Sequence, residues 1–335
     1  MKPVHNYMGL DGFIWWWGVV ENRNDPLKLG RAQVRIYTWH TEDKTLIPSQ
    51  DLPWAHPILP LNNSAPIAPK EGDWVMGFFM DGRDAQFPVM MGVVPGIPEM
   101  TPPISEGFSD QRTPTQLQSA PRPPENRTYE TDGTGIKLTE TESAERYPNV
   151  LNQPTTPALA RNENLDGTFI EIRKETRVTD VPVANSEQTW SEPETAYAAV
   201  YPYNKVTQTE SGHIFELDDT FGAERIQLAH RAGSFEEYYP DGSKVTKVVK
   251  DNYQVIMGSD NVLIMGVCNV TINGKARLYI KSDYEVEVDG NLNTKVKGDI
   301  NTVAEGKLNI SALGTATVDS AGNMVFTAPR IDLNP

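Results

Sequence analysis

His213 is followed closely by Asp218 and Asp219, and an imidazole beside two carboxylates is chemistry that can hold a divalent ion. The commoner outcome for such a trio at a turn is a polar hydrogen-bond network, and that is the expectation here. The other histidines, His5, His40, His56 and His230, stand apart in sequence. Cys268 is the only cysteine, which excludes an intrachain disulfide framework and any zinc site built on thiolates. It is expected to be a buried, inert thiol. Trp15, Trp16 and Trp17 form a run of aromatic groups of the kind that anchors interfaces. The competing arrangement packs alternate members inside a β-barrel. No catalytic, cofactor-binding or metal-binding residue is assigned from the sequence.

The elements that would carry these residues are strands. The chain has 335 residues, with 30 Lys+Arg against 45 Asp+Glu and a formal net charge of −15. Duplex DNA and anionic membranes call for clustered cations, so no specific nucleic-acid partner is expected. No stretch reaches the ~18 apolar residues of a membrane span, and Phe13–Val20 lacks the flanks of a signal peptide. Residues 1–98 hold six of the seven tryptophans. Phe13–Val20, Ala32–Trp39, Asp73–Met80 and Gln86–Val94 read there as strands of a small closed barrel. Residues 99–210 read as an extended, Pro-rich linker and spacer. Residues 211–257 read as a β entry region leading into residues 258–335. The fold class is all-β, with no long amphipathic helix.

Residues 258–335 carry the strongest pattern. Gly258, Gly266, Gly274, Gly290, Gly298, Gly306, Gly314 and Gly322 lie on an eight-residue grid, and Ser282 fills the one gap. Between them, even positions are apolar: Val262, Ile264, Cys268, Val270, Ile272, Leu278, Ile280, Val286, Val288, Leu292, Val296, Ile300, Leu308, Ile310, Val318 and Phe326. Odd positions carry nearly every charge, as at Lys275, Arg277, Asp283, Glu285 and Glu287. Each octad is a short strand with one buried face and a bend. A single-chain solenoid needs about 18 or more residues per coil to enclose an axis. Eight residues supply one face, so three copies must share each layer, with the even side chains on the axis. Stacked ~4.8 Å apart, nine octads make a rod about 40 Å long. The alternative is a flat antiparallel meander, although only Asn273-Gly274 and Asp289-Gly290 have the preferred hairpin chemistry.

Three blocks together resemble the central spike of contractile phage tail baseplates, a family related to the type VI secretion spike. They are Gly30–Arg35, Leu52–Pro57, Gly72–Val75 and Phe79–Gly82; then Tyr203–Val206, Glu210–Thr220, Ala223–Ile226 and His230–Gly233; then the octads. The resemblance implies an N-terminal OB-fold and a C-terminal triple-stranded, intertwined β-helix. It also implies a homotrimer whose barrels sit on a trimeric baseplate hub, with Trp15, Trp16 and Trp17 as the hub contact. A small protein would cap the C-terminal tip, and tail contraction would drive the needle through the host envelope. The location implied is the virion baseplate, after assembly in the host cytoplasm.

Some members of this family insert a lysozyme domain with a Glu, an Asp nine residues on and a Thr six beyond that. The pairs Glu42/Asp51, Glu171/Asp180 and Glu210/Asp219 are followed at that distance by Pro57, Ser186 and Arg225. The expectation is therefore a non-enzymatic spike without that domain. All five histidines precede the octads, so a histidine-bound metal at the tip is not expected either. A tail-associated peptidoglycan hydrolase with a site in 126–210 is one alternative. A type VI secretion spike is the other, disfavoured because only nine residues precede Leu10.

Overall fold

The computed structural model describes residues 14–61, 68–96, 104–112, 127–131, 136–140, 156–163, 165, 168–209 and 212–331. By its contacts the chain divides into two units, Met1–Ala276 and Arg277–Pro335. The described secondary structure is mostly β, as the alternation of the sequence requires.

Five strands close a barrel in the order β1-β2-β3-β5-β4, with β1 pairing back onto β4. They are β1 (Trp15–Asn22), β2 (Ala32–Ile36), β3 (Trp54–Pro57), β4 (Trp74–Phe79) and β5 (Pro88–Val93). All neighbours are antiparallel except β3 and β5, where His56 pairs with Val89 in parallel. Closure removes the open edges that a five-stranded sheet would expose. Four of these strands fall in the runs expected from alternation. The stretch around Trp54 is too brief to show a period, and β3 is an addition to the expected set. Trp16, Val20, Val34, Ile36, Val75, Phe79 and Met90 fill the interior. Gly77 makes room for Trp16: a Cβ there would lie 1.9 Å from the Val89 carbonyl oxygen and 2.5 Å from the indole.

One ion pair is buried in the barrel. The Arg35 guanidinium donates to both Glu21 carboxylate oxygens, at 2.6 and 3.1 Å, and to the carbonyls of Thr41 and Ile47. Glu21 also accepts the Phe108 amide at 2.8 Å, which ties residues 104–112 to the barrel.

Past the paired strands β6 (Arg127–Thr131) and β7 (Ile136–Glu140) come α1 (Ala158–Arg161) and α2 (Phe169–Glu175). The short hairpin β8 (Val181–Pro182) and β9 (Thr189–Trp190) comes next. A five-stranded antiparallel meander then runs β10 (Asn204–Gln208), β11 (Ile214–Asp218), β12 (Arg225–Ala229), β13 (Phe235–Tyr238) and β14 (Lys244–Lys247). Leu159, Phe169 and Ile170 pack with Ile214, Ala229 and Phe235 in a second core. Leu159 and Phe169 belong to the stretch read from sequence as spacer. Its apolar residues are too few for a periodic signal, yet α1 and α2 place them against the sheet.

From residue 251 to 331, all of them described residues, the chain forms no strand ladder with itself. Bends recur at 257–258, 265–266 and 273–274. The same eight-residue rhythm holds within Arg277–Pro335, at 281–282, 289–290, 297–298, 305–306, 313–314 and 321–322.

Candidate functional site

The candidate site is a set of surfaces. In the meander, inward and outward residues alternate, as strand geometry demands. The inward set is heavily charged: Glu216, Asp218, Arg225, Gln227 and Glu237 are all buried. Arg225 donates to Glu216 at 2.6 Å and to Glu237 at 3.0 Å, with all three side chains fully enclosed. Arg173 on α2 completes the cluster by pairing with Glu237. Lys247 reaches Glu192 at 3.0 Å, and the Asn204 amide donates to Glu216 at 2.7 Å. Burial raises the Glu216 carboxyl above its ordinary range, with Arg225 pulling the other way, and burial lowers the Arg225 guanidinium. Two charges removed from water together show this opposition, and each serves as the other's counter-ion.

The opposite face of that sheet is apolar and open. Phe215 pairs with Leu228, Leu217 with Ile226, and Ile226 with Tyr238, so these side chains form one continuous patch. All five are exposed in the single chain. A one-sided sheet usually buries its apolar face, whereas among the described residues this face has no cover.

The octads repeat the condition. Val262, Ile264, Val270, Ile272, Leu278, Ile280, Val286, Val288, Leu292, Val296, Ile300, Leu308, Ile310, Val318 and Phe326 are all exposed. So is Cys268, which the single chain therefore does not bury as the sequence leads one to expect. Its even position gives it the parity of the apolar residues of the octads. The grid glycines have no left-handed φ, and a Cβ added at any of them meets nothing within 4 Å.

On the barrel, Trp15 and Trp17 are half-exposed while Trp16 is 2% exposed and packs inside. A surface contact on this strand therefore uses Trp15 and Trp17. Trp16, Trp17, Tyr37, Thr38 and Trp74 line a hollow of about 310 Å³.

The remaining sequence candidates do not converge. The His213 ring lies 4.5 Å from that of His230, and its Nδ1 accepts the Arg231 amide. Asp218 Oδ1 accepts the Thr220 amide, and Asp219 pairs with Lys205 at the surface. This is a turn network, and among the described residues no three metal-ligating side chains gather. Glu42/Asp51 and Glu171/Asp180 are exposed, whereas Glu210 lies outside the described residues. Sequence reasoning misses the Arg173–Glu237–Arg225–Glu216 cluster. Its signal is the parity of charges at 216, 218, 225 and 237, which reads as a solvated face until α2 covers it.

Residues 37–120 match the family described as the Gp5 N-terminal OB domain, which takes in β3, β4 and β5. The chain is 41% identical over 271 residues to Protein Gp5 of Vibrio phage KVP40, covering 76% of this chain and 62% of that protein. It is thus similar to a phage protein named Gp5 over most of its own length. It is also 36% identical over 101 residues to the pre-baseplate central spike protein Gp5 of Enterobacteria phage T4. That match covers 30% of this chain and 18% of the T4 protein. The chain thus spans under two thirds of either relative's length.

Proposed function

We propose that the chain is a structural, cell-puncturing spike of a phage tail baseplate that works as a homotrimer and without a catalytic site of its own. The observation that carries this reading is residues 251–331: regular bends every eight residues, no strand pairing within the chain, and a row of exposed apolar side chains. Unpaired backbone groups and apolar stripes of this extent are satisfied by other strands. Three copies supply one face each and place the even residues on a shared axis. The apolar patch of Phe215, Leu217, Ile226, Leu228 and Tyr238 is covered by the same assembly. The barrels dock on a trimeric hub through Trp15 and Trp17, and a small protein caps the C-terminal tip. The trimer is driven through the host envelope from its place on the virion baseplate, after assembly in the host cytoplasm.

Light scattering of the full chain behind a sizing column tests the reading. The expected mass is three times 37.3 kDa. A stable monomer overturns it, and clearing of purified cell wall by the pure protein overturns its purely mechanical character.

A further inference from the structure

Between residues 274 and 321 the charges sort themselves by octad. From Gly274 to Lys281 they are all basic: Lys275, Arg277 and Lys281. From Ser282 to Asp289 they are all acidic: Asp283, Glu285, Glu287 and Asp289. The following octads keep alternating, with Lys295 and Lys297, then Asp299 and Glu305, then Lys307, then Asp319. Every one of these residues stands at an odd position and is exposed in the single chain.

Charges eight residues apart in this stretch are opposite in every case: Lys275/Asp283, Arg277/Glu285, Lys281/Asp289, Glu287/Lys295, Asp289/Lys297, Lys297/Glu305 and Asp299/Lys307. Charges sixteen apart have the same sign: Lys281/Lys297, Asp283/Asp299 and Asp289/Glu305. In a trimer whose chains turn one corner at each bend, a chain returns to the same face only after three octads. The strands directly above and below it on that face then belong to the other two chains. By threefold symmetry those neighbours are the preceding and the following octad. The lack of any strand ladder within the chain over the described residues 251–331 agrees with such winding. With the corners aligned, residue i of one chain lies about 4.8 Å from residue i+8 of another, on the same outer face.

We propose, resting on the trimeric reading, that oppositely charged octads of neighbouring chains pair on the outer face and fix the axial register of the three copies. The glycine grid and the apolar row repeat every eight residues, so a chain slipped by one octad still presents apolar side chains to the axis. The same slip sets residue i beside residue i or i+16 of a neighbour, which brings like charges together. Opposite charges facing across strands stabilise, and like charges destabilise. Each exposed pair is weak. The two registers differ in little else along the rod, so the sum over three chains decides between them.

The experiment uses the full-length protein with Cys268→Ala and two reporters, Asn293→Cys and Asn301→Cys, at neutral odd positions eight residues apart. Strands about 4.8 Å apart lie within disulfide reach. With copper–phenanthroline as oxidant, the native register joins position 293 of each chain to position 301 of the next and gives a covalent trimer on a non-reducing gel. Asp283→Lys, Glu285→Lys, Glu287→Lys and Asp289→Lys together should lower that yield by about tenfold or more. Reversing every charge from Lys275 to Lys307 restores the opposite pairs without changing the net charge, and should restore the yield. A parent with the trimer mass but no covalent trimer overturns the stacking of successive octads. An unchanged yield in the fourfold variant, or no recovery in the full reversal, overturns the role of the charges. A monomeric mass for the parent overturns the trimer itself, and the pairing with it.

Discussion

Glu21→Gln is the sharpest test of the barrel's energetics. Both side chains of the Glu21–Arg35 pair are 0% exposed, and Arg35 spends its remaining donors on Thr41 and Ile47. Removing the negative charge leaves a guanidinium buried with only neutral partners. Breaking a buried pair from one side costs about 3–5 kcal/mol, because the partner's desolvation is no longer offset. In a domain of about 100 residues each kcal/mol moves the midpoint by roughly 4–8 °C, so the barrel should melt about 12 °C or more below the parent. Tryptophan fluorescence of the full-length chain reports this, since six of its seven tryptophans lie in residues 10–98. Asp219→Asn is the control. Its pair with Lys205 has a similar 2.7 Å distance, but the side chains are 62% and 70% exposed. An exposed pair of that kind is worth about 0–1 kcal/mol. If Glu21→Gln moves the midpoint no further than the control, burial is not what makes the first pair matter, and the reasoning fails.

Gly107→Ala would put a Cβ 2.3 Å from Arg35 Nε, so it should cost about 1–3 kcal/mol and speed proteolysis within 104–112. The Asp25 carboxyl is held well below the usual range, first by Arg31 and then by the Leu27, Leu29 and Arg31 amides. A depressed carboxyl stabilises above its unfolded value of about 3.9 and loses that contribution only as pH falls through the lower folded value. Carbon NMR should therefore find the turn at 25–31 intact at pH 4, and Asp25→Asn should abolish the titration. Val286→Asp places one charge per chain at the expected axis and should lower the light-scattering mass toward the monomer, whereas Glu287→Gln should leave it unchanged.

The barrel was legible because most of its strands are runs of five or more residues rich in apolar and β-branched side chains, as at Trp15–Asn22 and Trp74–Phe79, set between turn residues. β3 was not, since four residues at Trp54–Pro57 give a pattern too little length to declare itself. The bends of the octads fall at the grid positions read from glycine spacing, including Ser282, because small residues repeated at one interval leave few other places to turn. The packing of Leu159, Phe169 and Ile170 was hidden for a different reason. Ala158–Arg161 and Phe169–Glu175 are too short to build a 3.6-residue period, and their place is set by the sheet they cover. Trp16 illustrates the limit of composition. Three identical side chains in a row say that the strand has two faces, and only the closed barrel says which one is inside.

The meander and the octads share one physical condition reached by opposite routes. In the meander, α1 and α2 cover the charged side and leave Phe215, Leu217, Ile226, Leu228 and Tyr238 outside. In the octads no described residue covers either side, so the apolar row stays open along with the backbone. The glycines make the stronger case for neighbours. A glycine that a chain needs for its own sake has a positive φ or a crowded Cβ, as Gly72 does at +88° and Gly77 does against Val89. Gly258, Gly266, Gly274, Gly290, Gly298, Gly306, Gly314 and Gly322 have neither, and each faces open space. Glycine also costs conformational entropy, so eight of them on nine grid points carry a penalty that the lone chain gives no reason to bear. In the proposed trimer, close approach by another backbone at each bend would supply the reason, and the same approach would pair the strands and bury the apolar row.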